Sequence, residues 1–321
     1  MSVVDGALSV VPGERVVIVV DEAAGDFGRA LSQAVARFHA TPNVFCLEDY
    51  GVRPHGQLHE AIRGALEHAN ASVMNIAFHG GEFPMRAEFV DLAAYGKLRH
   101  AHMVGVSRSS LLAGLAADPS AIARLSRAIR VRILPESSVR IRSELGTDVV
   151  VRLAPWCRWY ETSGVIQPGT KANLPAGELV TSPASVDGLY VADGSVADAG
   201  GCLKGDLKAN PIKIWFEGGR VRDVLGANEE LVTGLMAQMA RTENLDRVGL
   251  VNFGTNLGMT APAEDIFTSQ KLPGLHLSLG LSFPQRTGAS WNAMDWIAFT
   301  TRGCEIDIDG EAVMRGGRYL I

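Results

Sequence analysis

The stretch "ERVVIVVDEAAGDFGRALSQAVARFHA", residues 14–40, changes its apolar spacing halfway along. The first part, "ERVVIVVDE", is a continuous β-branched run, the pattern of a strand buried on both faces. The second, from Gly28, repeats apolar residues every three or four positions, the pattern of a helix. A buried strand followed by a helix long enough to cross back is the unit of a parallel sheet. That unit recurs. "NVFCLEDYGV" (43–52), "SVMNIAF" (72–78), "HMVGV" (102–106) and "VRIL" (131–134) read as further strands, and "LHEAIRGALEHAN" (58–70), "RAEFVDLAAYGKL" (86–98) and "PSAIARLSRAI" (119–129) as the helices between them. The alternation predicts a parallel sheet with helices on both faces.

After residue 135 helical periods become scarce. Short alternating segments, among them "SSVRIRS" (137–143), "DVVVRLA" (148–154), "GLYVADGSV" (188–196), "IKIWFEGGRV" (212–221) and "CEIDIDGEAVM" (304–314), are separated by Gly, Asp, Asn and Pro. They predict a mainly antiparallel β region, with one helix at "NEELVTGLMAQMAR" (228–241). The fold class expected is therefore α/β plus α+β: an α/β domain over 1–135 and a β-rich domain over 136–321, with neither an internal repeat nor a low-complexity linker between them.

A formal net charge of −5 and a pI near 5.9, without a basic stripe, argue against nucleic acid as a partner. "RVVIVV" is too short for a signal peptide and lacks its basic start and cleavage site, and no apolar stretch is long enough to span a bilayer. Cys46, Cys157, Cys202 and Cys304 are widely spaced and form no CxxC pair, the pattern of reduced, partly buried thiols in a cytoplasmic protein.

Several segments in the second half carry a resemblance. "GTDVVVRL" (146–153) precedes "NLPAGELVTSP" (173–183), the most specific match, and then come "FGTN" (253–256), "GLHLSLGLSFP" (274–284) and "CEIDIDGEAVMRGGRYLI" (304–321). In this order they resemble the aminopeptidase T-like metallo-aminopeptidases, a family related to the iron-dependent 2,5-dihydroxypyridine dioxygenases. "VPGERVVIVVD" (11–21) resembles the family's opening strand. The likeness covers roughly residues 8–321 and is strongest from 144 onward. It implies the family's fold and a homodimer.

In that family two metal ions are held by two glutamates, a tyrosine, two histidines and an aspartate. The resemblance places one glutamate on Glu178 and one histidine on His276, the only histidine after His102. It places the second glutamate on Leu250, the tyrosine on Phe283, the second histidine on Asp295 and the aspartate on Ile297. Leucine, phenylalanine and isoleucine offer no lone pair to a metal, so the dinuclear centre is not expected, and neither is any other cofactor. Dioxygenase iron requires two histidines and one carboxylate, and only one histidine remains in this half. The alternative is a mononuclear hydrolase or ring-cleaving dioxygenase site built from Glu178, His276 and Asp295, with an oxygen from Asn252, which shares a strand face with Leu250. Without a metal, Glu178 and His276 are expected to hydrogen-bond to each other.

The leading expectation is a pseudoenzyme that binds a peptide in the old cleft. Leu250, Phe283, Trp291 and Trp296 would anchor hydrophobic side chains and Arg286 a carboxylate, beside Glu178, Asn252, His276 and Asp295; core packing is the alternative role of the two tryptophans. Degenerate members of the family resemble the peptide-binding accessory proteins of ribosomal-peptide natural product pathways such as that of crocagin. The partner implied is then a precursor peptide.

Other features carry less. Gly25 and Gly28 in "DEAAGDFGRAL" (21–31) are not a GxGxxG or P-loop pattern and read as a loop and helix start. "FHGGEFP" (78–84) follows a strand's carboxyl end, where ligands bind in parallel sheets, although paired glycines ordinarily make only a turn. His100 and His102 share a strand face and read as solvent-exposed polar residues. Ser109-Ser110 and Ser137-Ser138 lack a nucleophile elbow, and Cys157 has no evident histidine partner.

Overall fold

The structure is a computed structural model that describes residues 2–321. In chain order it forms β1 (Arg15–Val20), α1 (Gly25–Arg37), β2 (Thr41–Cys46), α2 (Glu60–Leu66), β3 (Ala71–Asn75), α3 (Phe83–Tyr95), β4 (Arg99–His102), α4 (Arg108–Gly114) and α5 (Pro119–Arg130). There follow β5 (Ser138–Arg142), β6 (Asp148–Arg152), β7 (Tyr160–Thr162), β8 (Lys171–Asn173), β9 (Glu178–Thr181), β10 (Ser185–Ala192), β11 (Ser195–Asp198), β12 (Lys204–Asp206), β13 (Ile212–Glu217) and β14 (Arg220–Gly226). The chain continues through α6 (Glu229–Arg241), β15 (Val248–Gly254), α7 (Ile266–Ser269), β16 (Gly274–Gly280), α8 (Pro284–Thr287), β17 (Trp296–Phe299), β18 (Glu305–Ile308), β19 (Glu311–Arg315) and β20 (Arg318–Tyr319).

Two compact units result. The first joins residues 1–123 with 162–176, and the second 124–161 with 177–321. The first unit holds a parallel sheet in the order β2-β1-β3-β4-β8. Its central strand explains the unbroken apolar run of the opening stretch. Val16, Ile18 and Val20 pack on one face with Leu31 and Val35 of α1, while Val17 and Val19 pack on the other with Ile62, Leu66 and Phe89. Pro42, which cannot donate to a ladder, lies on edge strand β2.

The second unit contains two sheets among the described residues, ordered β14-β13-β10-β6-β5-β18-β19-β20 and β12-β11-β17-β16-β15-β9-β7. One core lies between them, in which Val139, Val149 and Tyr190 of the first sheet meet Phe253, Leu277 and Phe299 of the second. Alternation along each strand sends every second side chain to that core.

The structure departs from the sequence reading in places that have physical causes. "VRIL" is not a strand: α5 runs to Arg130, Val131 and Leu134 are exposed, and only Ile133 reaches the core. The strand expected at "HMVGV" lies three residues earlier, over Arg99–His102. The division at 135 is replaced by a segment exchange, because β8 returns to complete the parallel sheet beside β4.

That return corrects the reading of the paired histidines. With β3 on one side and β8 on the other, β4 is interior, and His100 is buried. Its Nδ1 meets the Ser72 hydroxyl at 3.0 Å and its Nε2 meets His102 Nδ1 at 3.1 Å. Burial, with the nearby Lys171 and Arg86 charges, pushes His102 down to about 4, and burial holds His100 well below the usual imidazole range. The unfolded chain takes up protons near pH 6.5, while in the folded protein His102 stays neutral to about 4 and burial keeps His100 neutral as well. Stability from the pair is therefore complete above pH 6.5 and is lost as pH falls toward 4. For His102 alone the loss is about 3 kcal/mol. Urea midpoints measured between pH 7 and 4 should drop accordingly, and His102→Gln should flatten part of that slope.

Candidate functional site

The segment that carries Glu178 is shaped by the residue before it. Gly177 has φ +127°, and a Cβ there would lie 2.7 Å from the Asn256 Cβ, so only glycine lets the chain enter β9 at this point. Glu178 then stands opposite Gly254 of β15, and Asn252 opposite His276 of β16. Because paired residues share a face, Glu178, Asn252, His276 and Ser278 line the side of the sheet away from the Phe253 and Leu277 core. Gly254, in "FGTN", is needed for close approach as well: a Cβ there would collide with the Leu272 carbonyl oxygen at 1.8 Å. Without that collision the 271–272 turn packs directly on the strand and brings Lys271 to the site.

Lys271 is the residue that sequence reasoning missed. Its ammonium lies 2.7 Å from Glu178 Oε1, with side-chain exposures of 6% and 17%, and it also donates to the Phe267 carbonyl. Asn252 Nδ2 donates to the other Glu178 oxygen at 2.9 Å. The only sequence signal was a lysine five residues before His276, at the edge of an otherwise apolar segment.

His276 is fully buried, and it does not bond to Glu178 as expected. Its Nδ1 accepts from the Thr301 backbone N–H at 3.2 Å, which leaves the proton on Nε2, donated to the Leu272 carbonyl at 2.8 Å. Burial pushes this imidazole down to about 4. Both nitrogens are committed to backbone, so neither faces a ligand.

Phe283 and Arg286 form a second group with Tyr160, another residue missed in the sequence. The Phe283 ring stands edge-on to Tyr160 at 6.5 Å, and the Arg286 guanidinium lies 5.3 Å from the Tyr160 ring centre. Burial and the charge of Glu178 raise the Tyr160 phenol, which ties this group to the Glu178 cluster. Phe283 and Arg286 are exposed, and Leu250 is half-buried. The remaining expected residues lie elsewhere. Trp291 is capped by the Arg247 guanidinium 4.2 Å from its ring, Trp296 packs 5.3 Å from Phe267, and Ile297 is buried in the core.

Asp295 is not brought to the site. Its backbone is paired with Leu281, whereas Glu178 lies level with Gly254 and Gly274. Seven residues of β16 and its extension separate those levels, roughly 23 Å of strand. Its carboxylate instead accepts the Trp296 N–H at 2.8 Å. The set Glu178, His276 and Asp295 is therefore not assembled, and among the described residues no group of three or more His, Cys, Asp or Glu side chains is placed to hold a metal. The donors present do not fit the metal pair that the resemblance implies: one carboxylate is already neutralised, one imidazole is committed to backbone, and the Asn252 Oδ1 is a single neutral oxygen.

No protein-family model matches the chain, and no curated protein matches it by sequence. Solved structures do. The 2,5-dihydroxypyridine dioxygenase of Pseudomonas putida KT2440 superposes with a TM-score of 0.61 at 17% identity, over 96% of this chain and 92% of that one. Wild-type AmpT from Thermus thermophilus superposes with a TM-score of 0.58 at 17% identity, over 99% of this chain and 97% of that one. The chain has the aminopeptidase T-like fold. Among the described residues no helix is long and apolar enough to cross a membrane.

Within this aminopeptidase T-like fold the ammonium of Lys271 is what makes the Glu178 carboxylate tolerable in a buried site. Lys271→Met should destabilise the protein by about 2 kcal/mol by removing the ammonium that balances that charge. The double variant Lys271→Met/Glu178→Gln should recover most of the loss, as read from chemical denaturation in a double-mutant cycle.

Proposed function

We propose that the chain is a non-catalytic peptide-binding protein built on an aminopeptidase T-like fold. The observation that carries this reading is the Glu178–Lys271 ion pair. A carboxylate of the kind that holds a metal in related enzymes is here matched by an ammonium, and its histidine companion is turned into the backbone. Hydrolysis that depends on a metal-activated water has no donor set to run on. What remains is recognition. Phe283 and Tyr160 offer an aromatic surface for an apolar side chain, and Arg286, which has no carboxylate partner among the described residues, is positioned to take a peptide carboxylate.

The partner in this reading is a precursor peptide of ribosomal natural product biosynthesis, held for a separate modifying enzyme, with the protein acting in the cytoplasm as a homodimer. Calorimetry with hydrophobic tripeptides, in free-acid and amidated forms, tests the recognition. Arg286→Ala should weaken the free acids about tenfold and leave the amides unchanged, and Phe283→Ala should weaken both. Mass spectrometry of the same mixtures, with added Zn, Fe(II) or Mn, should find the peptides intact. Near-stoichiometric metal that is lost on Glu178→Ala, together with cleaved peptide, would overturn the proposal.

A further inference from the structure

A cavity of about 800 Å³ lies in the first unit, outside the site described above. Topology puts it there. From β1 the chain crosses to β2 on one side and later returns as β3 on the other, so the connections leaving β1 and β3 diverge and open a crevice at their carboxyl ends. The crevice is braced by a closed ionic network. Asp21, the residue after β1, accepts from the Ala24 N–H at 2.9 Å, from the Ala77 N–H at 2.6 Å and from Arg53 at 2.8 Å. Arg53 also donates through two nitrogens to the buried Glu82, at 2.7 Å each. One carboxylate thus holds both connections in place, and the cavity is pre-formed.

Phe27 and Ala30 of α1, Phe78 after β3, and Leu111 and Leu115 near α4 make its walls largely apolar. Asn75 breaks the pattern. It is the last residue of β3, on the face where Ala71 and Val73 enter the core, and it is only 3% exposed. It lines the cavity, and its amide makes no hydrogen bond to any described residue. Its polar atoms open onto the cavity and not onto the protein, so what fills the cavity decides whether they are hydrogen-bonded. An amide presents an acceptor beside donors, and it is matched by a group with the complementary pair.

We propose that this cavity binds an uncharged, mainly apolar small molecule bearing a carboxamide or lactam edge, and that Asn75 recognises that edge. The surrounding charges set the class. Asp21 is consumed by Arg53 and the backbone, so it does not call for a cation. Asp26, paired with Arg29, and Arg108 stand at the same cavity with opposite charges, so its lining calls for no net charge on the ligand, and no glycine-rich turn is present among its lining residues to cradle a phosphate.

The full-length chain is titrated by calorimetry and two-dimensional amide NMR with three probes of one size: isoquinolin-1-one, which has a lactam edge; isoquinoline, which lacks it; and 1-naphthoate, which is anionic. The lactam should bind saturably with one-to-one stoichiometry and shift amides around Asn75 and Ala77, with the other two at least tenfold weaker. Asn75→Leu should weaken the lactam at least tenfold without weakening isoquinoline. Ala30→Trp, on the half-buried wall, should abolish binding of every probe and keeps the test decisive if the Asn75 variant fails to fold. Equal affinity for all three probes, an unchanged lactam affinity in Asn75→Leu, or no saturable binding overturns the proposal. Arg286→Ala should leave lactam binding untouched, so failure here and failure of the peptide reading are separable.

Discussion

An ionised carboxylate drawn partly out of water needs compensating charge or hydrogen bonds, and at Glu178 that demand is met by Lys271 and Asn252. A divalent metal and an ammonium satisfy the same electrostatic requirement, but only the metal brings open coordination positions with it. Lys271 supplies the charge on a flexible stem and closes the site chemically. Once the cation is a side chain, further anionic ligands become liabilities. Leu250 and Phe283, at the positions where the resemblance calls for a glutamate and a tyrosine, fit that logic, because each avoids an unpaired acid near a charge that has already been balanced.

The layered architecture was legible because it rests on periodicity. The β-branched run of β1, buried on both faces, could only be an interior strand, and the alternating segments after residue 135 became the two sheets of the second unit. Elements whose identity depends on a distant partner were not legible. His100 and His102 carry a polar pattern that suits solvent, and only the arrival of β8, some seventy residues later in the chain, makes their strand interior. "VRIL" has strand composition, yet no neighbour is available to pair with it.

The candidate site divides in the same way. Glu178 and His276 could be located from short motifs because glycines fix the backbone around them: Gly177 for its positive φ and Gly254 for its contact with Leu272. Their partners could not. Which atoms saturate His276 depends on the positions of two backbone groups, Leu272 and Thr301, and no spacing rule encodes these. Asp295 illustrates the opposite error. The resemblance brought an acid to the right place in the sequence, and the register of β16 with β17 put it at the other end of the strand.

The return of β8 to the parallel sheet also bears on how the molecule is made. A ribosome makes the first four strands of that sheet long before it reaches residues 171–173, and it makes β5, β6 and β7 in between. The first unit therefore cannot complete its sheet until that intervening segment has been made, and β4 stays an open edge during that interval. The same threading means that no single cut liberates an intact half. For genetic fusion, truncation or recombination the two units behave as one indivisible cassette.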